Sequence, residues 1–325
     1  MLKVATTTLR ELARQGDPGA LRTLGHRLLL GIGVAPAPNE AYACIAEAAA
    51  RGDGEATAQL ALFAAWGVLR QQDWTEALDF LQRAAELGWP RSQRELQFLA
   101  RESTSDWPGL RRRVDLVAWT KPRPFRVLSA APDIRAIDGF ASASECAWLI
   151  ELARGSLRRA QIYRKDAEGF TEAGTRTNSE ADYTIGNADL VLRLIVERIA
   201  NAAGVTPGSF EVAKLLHYEP GQHFAAHCDF QEPSTPALAR EVERRGQRVG
   251  TVLVYLNDDY DGGETEFPRI GLRYRAAAGD ALLFRNVQPS GALDYDTLHA
   301  GLAPTRGAKW VLSQWIRDRP VDGNA

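Results

Sequence analysis

A histidine, an aspartate two residues on and a second histidine far downstream are the side chains of this sequence best suited to chemistry. Four of its five histidines follow residue 216. His217, His223 and His227 crowd into "LLHYEPGQHFAAHCDF", and His299 stands apart. In an extended strand residues i and i+2 point the same way, so His227 and Asp229 direct an imidazole and a carboxylate into one space. An imidazole from His299 would complete a two-histidine, one-carboxylate set. Such a set covers one face of an octahedral metal and leaves three positions open. Iron(II) that holds both an oxo-acid and dioxygen needs those positions. Alone, a His-x-Asp pair is a frequent accident of composition, and a solitary His299 fits a hydrogen-bonded core position at least as well.

Strands have to carry these groups. After residue 125 the chain turns strand-rich: "FEVAKLLHY", "GTVLVYLN", "LRYRAAAGDALLF" and "KWVLSQWIR" are short, β-branched or aromatic, and bounded by Gly, Pro or Asp. Two helices precede them. Residues 140–156 read as a helix capped near Ser142 or Ser144. Residues 187–205 read as a second, apolar at Leu190, Leu194, Ile195 and Ile199. Helices followed by a run of strands predict helices on one face of a largely antiparallel sandwich or barrel.

The first hundred residues are of another kind. "QGDPGALRTLG" begins at Gln15, "RGDGEATAQLA" at Arg51 and "LGWPRSQRELQ" at Leu87, in steps of 36 residues. Ala20, Ala56 and Ser92 share a phase, as do Leu24, Leu60 and Leu96. A period of this size predicts a helical-hairpin solenoid in which each hairpin buries its apolar face against the next. Alanine recurs because closely crossing helices need small side chains. The stretches "AAARGDGEA" and "AAELGWPRS" resemble the Sel-one-like repeats, relatives of the tetratricopeptide family. That resemblance covers about residues 10–100 and implies a protein-binding surface; a helical prop for its neighbour is the plainer alternative.

These readings divide the chain into helical repeats over 1–103, a linker over 104–124 and a strand-rich domain over 125–325. The linker carries Arg111, Arg112 and Arg113, best read as a solvated charge run. Residues 231–250 are polar and doubly charged, suited to a lid or to a plain loop.

Composition narrows the function classes. With 39 Lys and Arg against 41 Asp and Glu, the formal charge of −2 makes no case for nucleic-acid binding. No apolar run approaches a bilayer span, and the first residues break into charges too early for a signal peptide. Cys44, Cys146 and Cys228 are odd in number and widely spaced, which predicts neither a disulfide framework nor a zinc knuckle. A reduced, cytoplasmic setting is the expectation.

From Pro132 to about Arg317 several ordered motifs resemble the catalytic domain of prolyl 4-hydroxylases, among the iron(II)- and 2-oxoglutarate-dependent dioxygenases. They are "PDIRAIDGFASASECAWLI", "RTNS" at 176–179, "EVAKLLHYEPGQHFAAHCD", "RVGTVLVYLNDDYDGGETEFP", "AGDALLFRN" and "DTLHAGLAPTRGAKWVLSQWIR". The resemblance implies an α+β chain: the helical solenoid, then a double-stranded β-helix, or jelly roll, with supporting helices. It implies His227, Asp229 and His299 as iron ligands and Lys309 as the cation for the distal carboxylate of 2-oxoglutarate. A half-buried dicarboxylate beside a metal needs such a fixed counter-charge. Should Lys309 not serve, Arg273 or Arg317 would be the next candidates. Tyr218 matches a tyrosine that helps hold 2-oxoglutarate. Tyr255 and Thr251 share a strand face with each other and are expected to line the same pocket. Glu211, Arg176 and Trp315 are implied as contacts to a peptide substrate. Phe224 stands where the family usually has a tyrosine, and the missing hydroxyl leaves prolyl specificity open.

The implied reaction consumes 2-oxoglutarate and dioxygen, hydroxylates a C–H bond and releases succinate and carbon dioxide, with L-ascorbate as the usual reductant. A peptide or protein substrate, recruited by the repeats, is the leading reading. A free amino acid or small metabolite is the first rival. The second is a scaffold protein whose oxygenase domain is catalytically idle, against which the intact ligand set and Lys309 both argue.

Overall fold

The computed structural model describes residues 5–164, 169–171, 174–184 and 186–321. The chain divides into two compact units, Met1–Trp119 with Asp189–Leu194, and Thr120–Ala188 with Ile195–Asn324.

The first unit is helical. Helices α1 (Thr6–Arg14), α2 (Pro18–Leu30), α3 (Pro38–Ala50), α4 (Gly54–Trp66), α5 (Trp74–Glu86) and α6 (Pro90–Ala100) follow one another through short turns. The starts of α2, α4 and α6 are 36 residues apart, the step read in the sequence. Each start has a local cause. The carboxylates of Asp17 and Asp53 accept the backbone N–H of Ala20 and Ala56, and proline opens α2, α3 and α6. Gly31 and Gly67 close α2 and α4 at φ 69° and 71°, a conformation that suits glycine. Ala41, Ala48, Ala56, Ala64, Ala77 and Ala84 are wholly buried. Small residues let the helices approach closely: a Cβ on Gly25 of α2 would lie 2.6 Å from Ile45 of α3.

The stretch read as a linker is largely helical, with α7 at Trp107–Arg113 and α8 at Leu116–Thr120. Its arginines are partly neutralised. Arg111 pairs with Asp79 and Arg113 with Glu102.

The second unit holds the strands. In chain order they are β1 (Arg126–Ala130), β2 (Asp133–Ile137), β3 (Arg158–Arg159), β4 (Ile162–Arg164), β5 (Gly169–Thr171), β6 (Ser179–Asp182), β7 (Lys214–Tyr218) and β8 (Phe224–His227). After them come β9 (Arg248–Tyr255), β10 (Asp261–Gly262), β11 (Thr265–Phe267), β12 (Leu272–Tyr274), β13 (Ala281–Arg285), β14 (His299–Gly301), β15 (Pro304–Arg306) and β16 (Lys309–Arg317). Among the described residues the larger sheet runs β1-β2-β13-β9-β16-β7-β6-β3 and the smaller β12-β11-β14-β8. Their pairings are antiparallel. The two sheets share one core: Leu216, Leu253, Tyr255, Phe284 and Val311 of the larger pack with Phe267 and Tyr274 of the smaller. No strand pairing between these two sheets closes them into a barrel among the described residues.

Alternation decides which residues reach that core. Along β9, Thr251, Leu253 and Tyr255 share one face, and along β16, Lys309, Val311, Ser313 and Trp315 do so. The opposite face is buried too, at Val252, Val254, Leu312 and Ile316. Helix α9 (Ala143–Arg154) starts with a capping box between Ser142 and Glu145, at the position expected. Helix α10 (Leu190–Ala203) sends Arg198 back to grip Glu145 through both carboxylate oxygens. The polar insertion at 231–250 is not a plain loop: it contains α11 (Pro236–Arg245), capped by Thr235. Cys44, Cys146 and Cys228 are all free. No helix among the described residues is long and apolar enough to cross a membrane.

Candidate metal centre

Strands β8 and β14 are neighbours in the smaller sheet, and His227 and His299 are direct partners across them. Residues opposite each other in an antiparallel pair point to the same side, so the two imidazoles stand with centroids 4.4 Å apart. Asp229 follows two residues after His227. Its Oδ1 lies 3.6 Å from His227 Nε2 and its Oδ2 lies 3.6 Å from His299 Nε2. One ligand atom from each residue falls within 4.8 Å of the other two.

The tautomers follow from the backbone. Nδ1 of His227 donates to the Ala225 carbonyl at 2.8 Å, and Nδ1 of His299 donates to the Thr297 carbonyl at 2.9 Å. Both Nε2 atoms are thereby left with a bare lone pair facing Asp229, the arrangement a metal ligand requires. Burial and the neighbouring His227 push His299 down to about 4, so it is neutral at physiological pH. Burial alone would raise the carboxyl of Asp229, but His299 and His227 in their protonated forms outweigh it and hold the group well below the usual carboxylate range. Two imidazoles and one carboxylate are a donor set that fits iron(II).

A second feature lies on the larger sheet, lining the same cavity. Lys309 is directly opposite Tyr218, across β16 and β7. It is only 2% exposed. Its Nζ donates to the Gly263 carbonyl at 2.8 Å and lies 5.3 and 5.4 Å from the ring centres of Tyr218 and Tyr255. Among the described residues no carboxylate pairs with it. Burial and the charge of Arg275 bring its pKa down to about 7, with Glu264 opposing. A buried ammonium facing a cavity without its own counter-charge fits a carboxylate supplied from outside. The alternative cations are occupied, Arg273 by Glu266 and Arg317 by Glu211.

The cavity between ligands and lysine is lined by Tyr218, Phe224, His227, Asp229, Thr265, His299, Lys309, Ser313, Trp315 and Arg176, among others. Most residues singled out in the sequence reach it, but three do not line it. Thr251 is absent from the lining, and its hydroxyl donates to Asp229 Oδ2 at 2.7 Å. It supports a ligand instead of touching a cosubstrate. Tyr255 also lies behind the wall, bonded to Thr265 at 2.7 Å, and Thr265 is the residue exposed to the cavity. Glu211 is gripped by Arg248 through both oxygens, at 2.6 and 2.9 Å, and by Arg317 at 2.8 Å. Those two arginines outweigh the effect of burial and keep it ionised. Both oxygens of its carboxylate thus accept from arginine.

Arg176 reaches the cavity with its guanidinium bonded to Glu180, Asn178 and the Gln161 carbonyl. It lies over the ring of Phe224, which stacks on His227 at 3.6 Å. Trp315 lines the cavity beneath Arg248, with its indole N–H buried and unpartnered. The ring of His217 packs tilted against Trp310, and the backbone N–H of His223 donates to Thr177. Neither histidine belongs to the three-residue cluster. Thr265 and Gly263 went unnoticed in the sequence, although both sit in the quoted "GGETEFP" run.

Comparison with known proteins agrees with this chemistry. Residues 213–317 match the family described as the 2OG-Fe(II) oxygenase superfamily. Probable prolyl 4-hydroxylase 9 of Arabidopsis thaliana is 33% identical over 217 residues, which cover 60% of this chain and 72% of that protein. Probable prolyl 4-hydroxylase 3 of the same plant is 31% identical over 229 residues, covering 64% and 75%. Among solved structures, the viral collagen prolyl hydroxylase of Paramecium bursaria Chlorella virus-1, a 2OG complex, is 27% identical with a TM-score of 0.44. The match covers 57% of this chain and 95% of that one.

Proposed function

This chain belongs to the 2OG-Fe(II) oxygenase superfamily through a prolyl 4-hydroxylase-like domain, and from that premise we propose that it hydroxylates a prolyl or other side chain of a peptide or protein. The reaction class itself is established: an iron(II)- and 2-oxoglutarate-dependent dioxygenase acting on a C–H bond. The observation that carries the site assignment is the convergence of His227, Asp229 and His299 within 4.8 Å, beside a buried lysine that lacks a carboxylate.

In this reading His227 Nε2, His299 Nε2 and Asp229 hold iron(II), which supplies the redox chemistry that couples decarboxylation of 2-oxoglutarate to hydroxylation by dioxygen. The chain's own residues do the rest. The Ala225 and Thr297 carbonyls hold the ring protons on Nδ1 and so aim both Nε2 atoms. Lys309, with Tyr218 beside it, anchors the distal carboxylate and thereby orients the oxo-acid end toward the ligands. Leu216, Leu253 and Val311 keep the wall between them apolar and exclude water. Arg176, Phe224 and Trp315 form the side on which a substrate would lie. L-ascorbate as reductant belongs to the same proposal.

The wider organisation is likewise our reading. The two packed sheets correspond to a double-stranded β-helix, and the 36-residue helical step supports Sel-one-like repeats that recruit a protein target. The spans 1–103, 104–124 and 125–325 are the divisions we assign. Free cysteines suit a cytoplasmic setting.

A trapping experiment tests the substrate class. The His227→Ala chain is used to capture partners, and each is then incubated with the intact enzyme, iron(II) and 2-oxoglutarate. A gain of one oxygen on a captured protein is the expected result. Hydroxylation confined to free amino acids or metabolites would contradict it.

A further inference from the structure

The two oxygens of Asp229 are not equivalent. Oδ2 accepts the Thr251 hydroxyl at 2.7 Å. Oδ1 instead faces His227, whose Nε2 lies 3.6 Å away. Thr251 Oγ1 in turn lies 3.0 Å from Asn286 Nδ2. The direction of each bond can be deduced. A carboxylate that holds a metal is ionised and only accepts, so Thr251 has to give Asp229 its single proton. The threonine oxygen is then an acceptor, and Asn286 has to present its NH2 group. That orientation is kept although it leaves Asn286 Oδ1 buried without a partner. Turning the amide over would set two acceptors against each other across 3.0 Å.

The placement is as informative as the bonds. Thr251 and Asn286 are both fully buried. Thr251 lies on β9, and Asn286 follows β13, the strand paired with β9. Asp229 lies beyond the end of β8, in the other sheet. The larger sheet therefore reaches across the core to fix one oxygen of a side chain from the smaller.

We infer that Thr251 and Asn286 are positioning residues that reserve Oδ2 of Asp229, so that the carboxylate offers the metal one oxygen and leaves the remaining positions open. This rests on His227, Asp229 and His299 being the iron ligands. A carboxylate freed from Thr251 can rotate, and its other oxygen is then no longer held toward the space between His227 and His299. Partners of this kind typically alter metal affinity or activity by about 10–100-fold.

The test uses the full-length chain. Metal-free protein is titrated anaerobically with iron(II) against a chromophoric chelator. Thr251→Val keeps the shape and removes the hydroxyl; Thr251→Ser keeps the hydroxyl and removes a methyl group. Thr251→Val should lose about 10–100-fold in iron affinity, and Thr251→Ser should stay close to the unaltered chain. Asn286→Ala, which leaves Asp229 untouched, should fall between them. It carries the same comparison if Thr251→Val does not fold. A merely structural role would lower thermal stability in both threonine variants without separating their iron affinities. Unaltered affinity in Thr251→Val and Asn286→Ala, or equal loss in Thr251→Ser and Thr251→Val, would overturn the relay. If the unaltered chain takes up no iron, the ligand assignment fails and the relay with it. Binding abolished by Asp229→Ala but untouched by Thr251→Val sinks the relay alone.

Discussion

Lys309 is an ammonium that the fold buries without giving it a counter-charge, and that makes its behaviour with pH a direct report on its role. Its pKa of about 7 belongs to the ligand-free protein. A carboxylate bound beside it favours the charged form. Affinity for 2-oxoglutarate should therefore be level below about pH 7 and weaken above it, by about tenfold per unit at first. Lys309→Ala should raise the 2-oxoglutarate requirement by the loss of a buried ion-pair partner, about 3–5 kcal/mol, while iron binding is kept. Titration of 2-oxoglutarate into iron-loaded protein at several pH values measures both effects. A pH-independent affinity, or one indifferent to Lys309→Ala, would place the anchoring cation elsewhere. At this scale the sequence was legible where one strand sufficed. His227 and Asp229 are two residues apart, so the period of two predicts their common direction. Thr251 and Tyr255 share a face as expected, but four residues of strand separate them by roughly 13 Å. They therefore serve opposite ends of the site. The ion pairs of Glu211 were not legible because the arginines that engage it, Arg248 and Arg317, are remote in sequence and the pairing exists only after folding.

Among the elements, the turn before β16 sets where Lys309 lies. Gly307 has φ +70°, and a Cβ there would fall 2.4 Å from the Asp259 carbonyl and 2.9 Å from Tyr260 Cα. Gly307→Ala should destabilise the protein by more than the ~1–2 kcal/mol of a left-handed residue alone, because backbone must also move. It should weaken 2-oxoglutarate more than iron, since the displaced strand carries the lysine and not the ligands. Gly271, at φ +65° with nothing within 4 Å of a Cβ, serves as the control with strain only. Urea unfolding of the two variants decides the matter, and equal losses would show that the close contact at Gly307 is unimportant. The long helices and central strands were predictable because their apolar periods run for several turns or alternations. Helices α7 and α8 span seven and five residues, too short for a period to emerge. The pairing of His227 with His299 brings together distant strands, and nothing local in either segment specifies that register.

For the molecule as a whole, the proposed partnership is between a recruiting arm and an oxygenase. A chain beginning at residue 122 should keep iron and 2-oxoglutarate binding and modify a short peptide as before, because the site residues all follow it. Hydroxylation of an intact protein target should fall sharply, since tethering raises the target's local concentration. Equal loss of metal binding, peptide turnover and protein turnover would make the repeats a structural support instead. Beneath this lies the claim that three side chains and one lysine make an iron(II)/2-oxoglutarate oxygenase. The most direct measurement is succinate release by the full chain, with and without iron(II) and 2-oxoglutarate, set beside Asp229→Ala. The account predicts succinate only when both are present and none from the variant. Succinate release that persists in Asp229→Ala, or that proceeds without added iron in chelated protein, would contradict it.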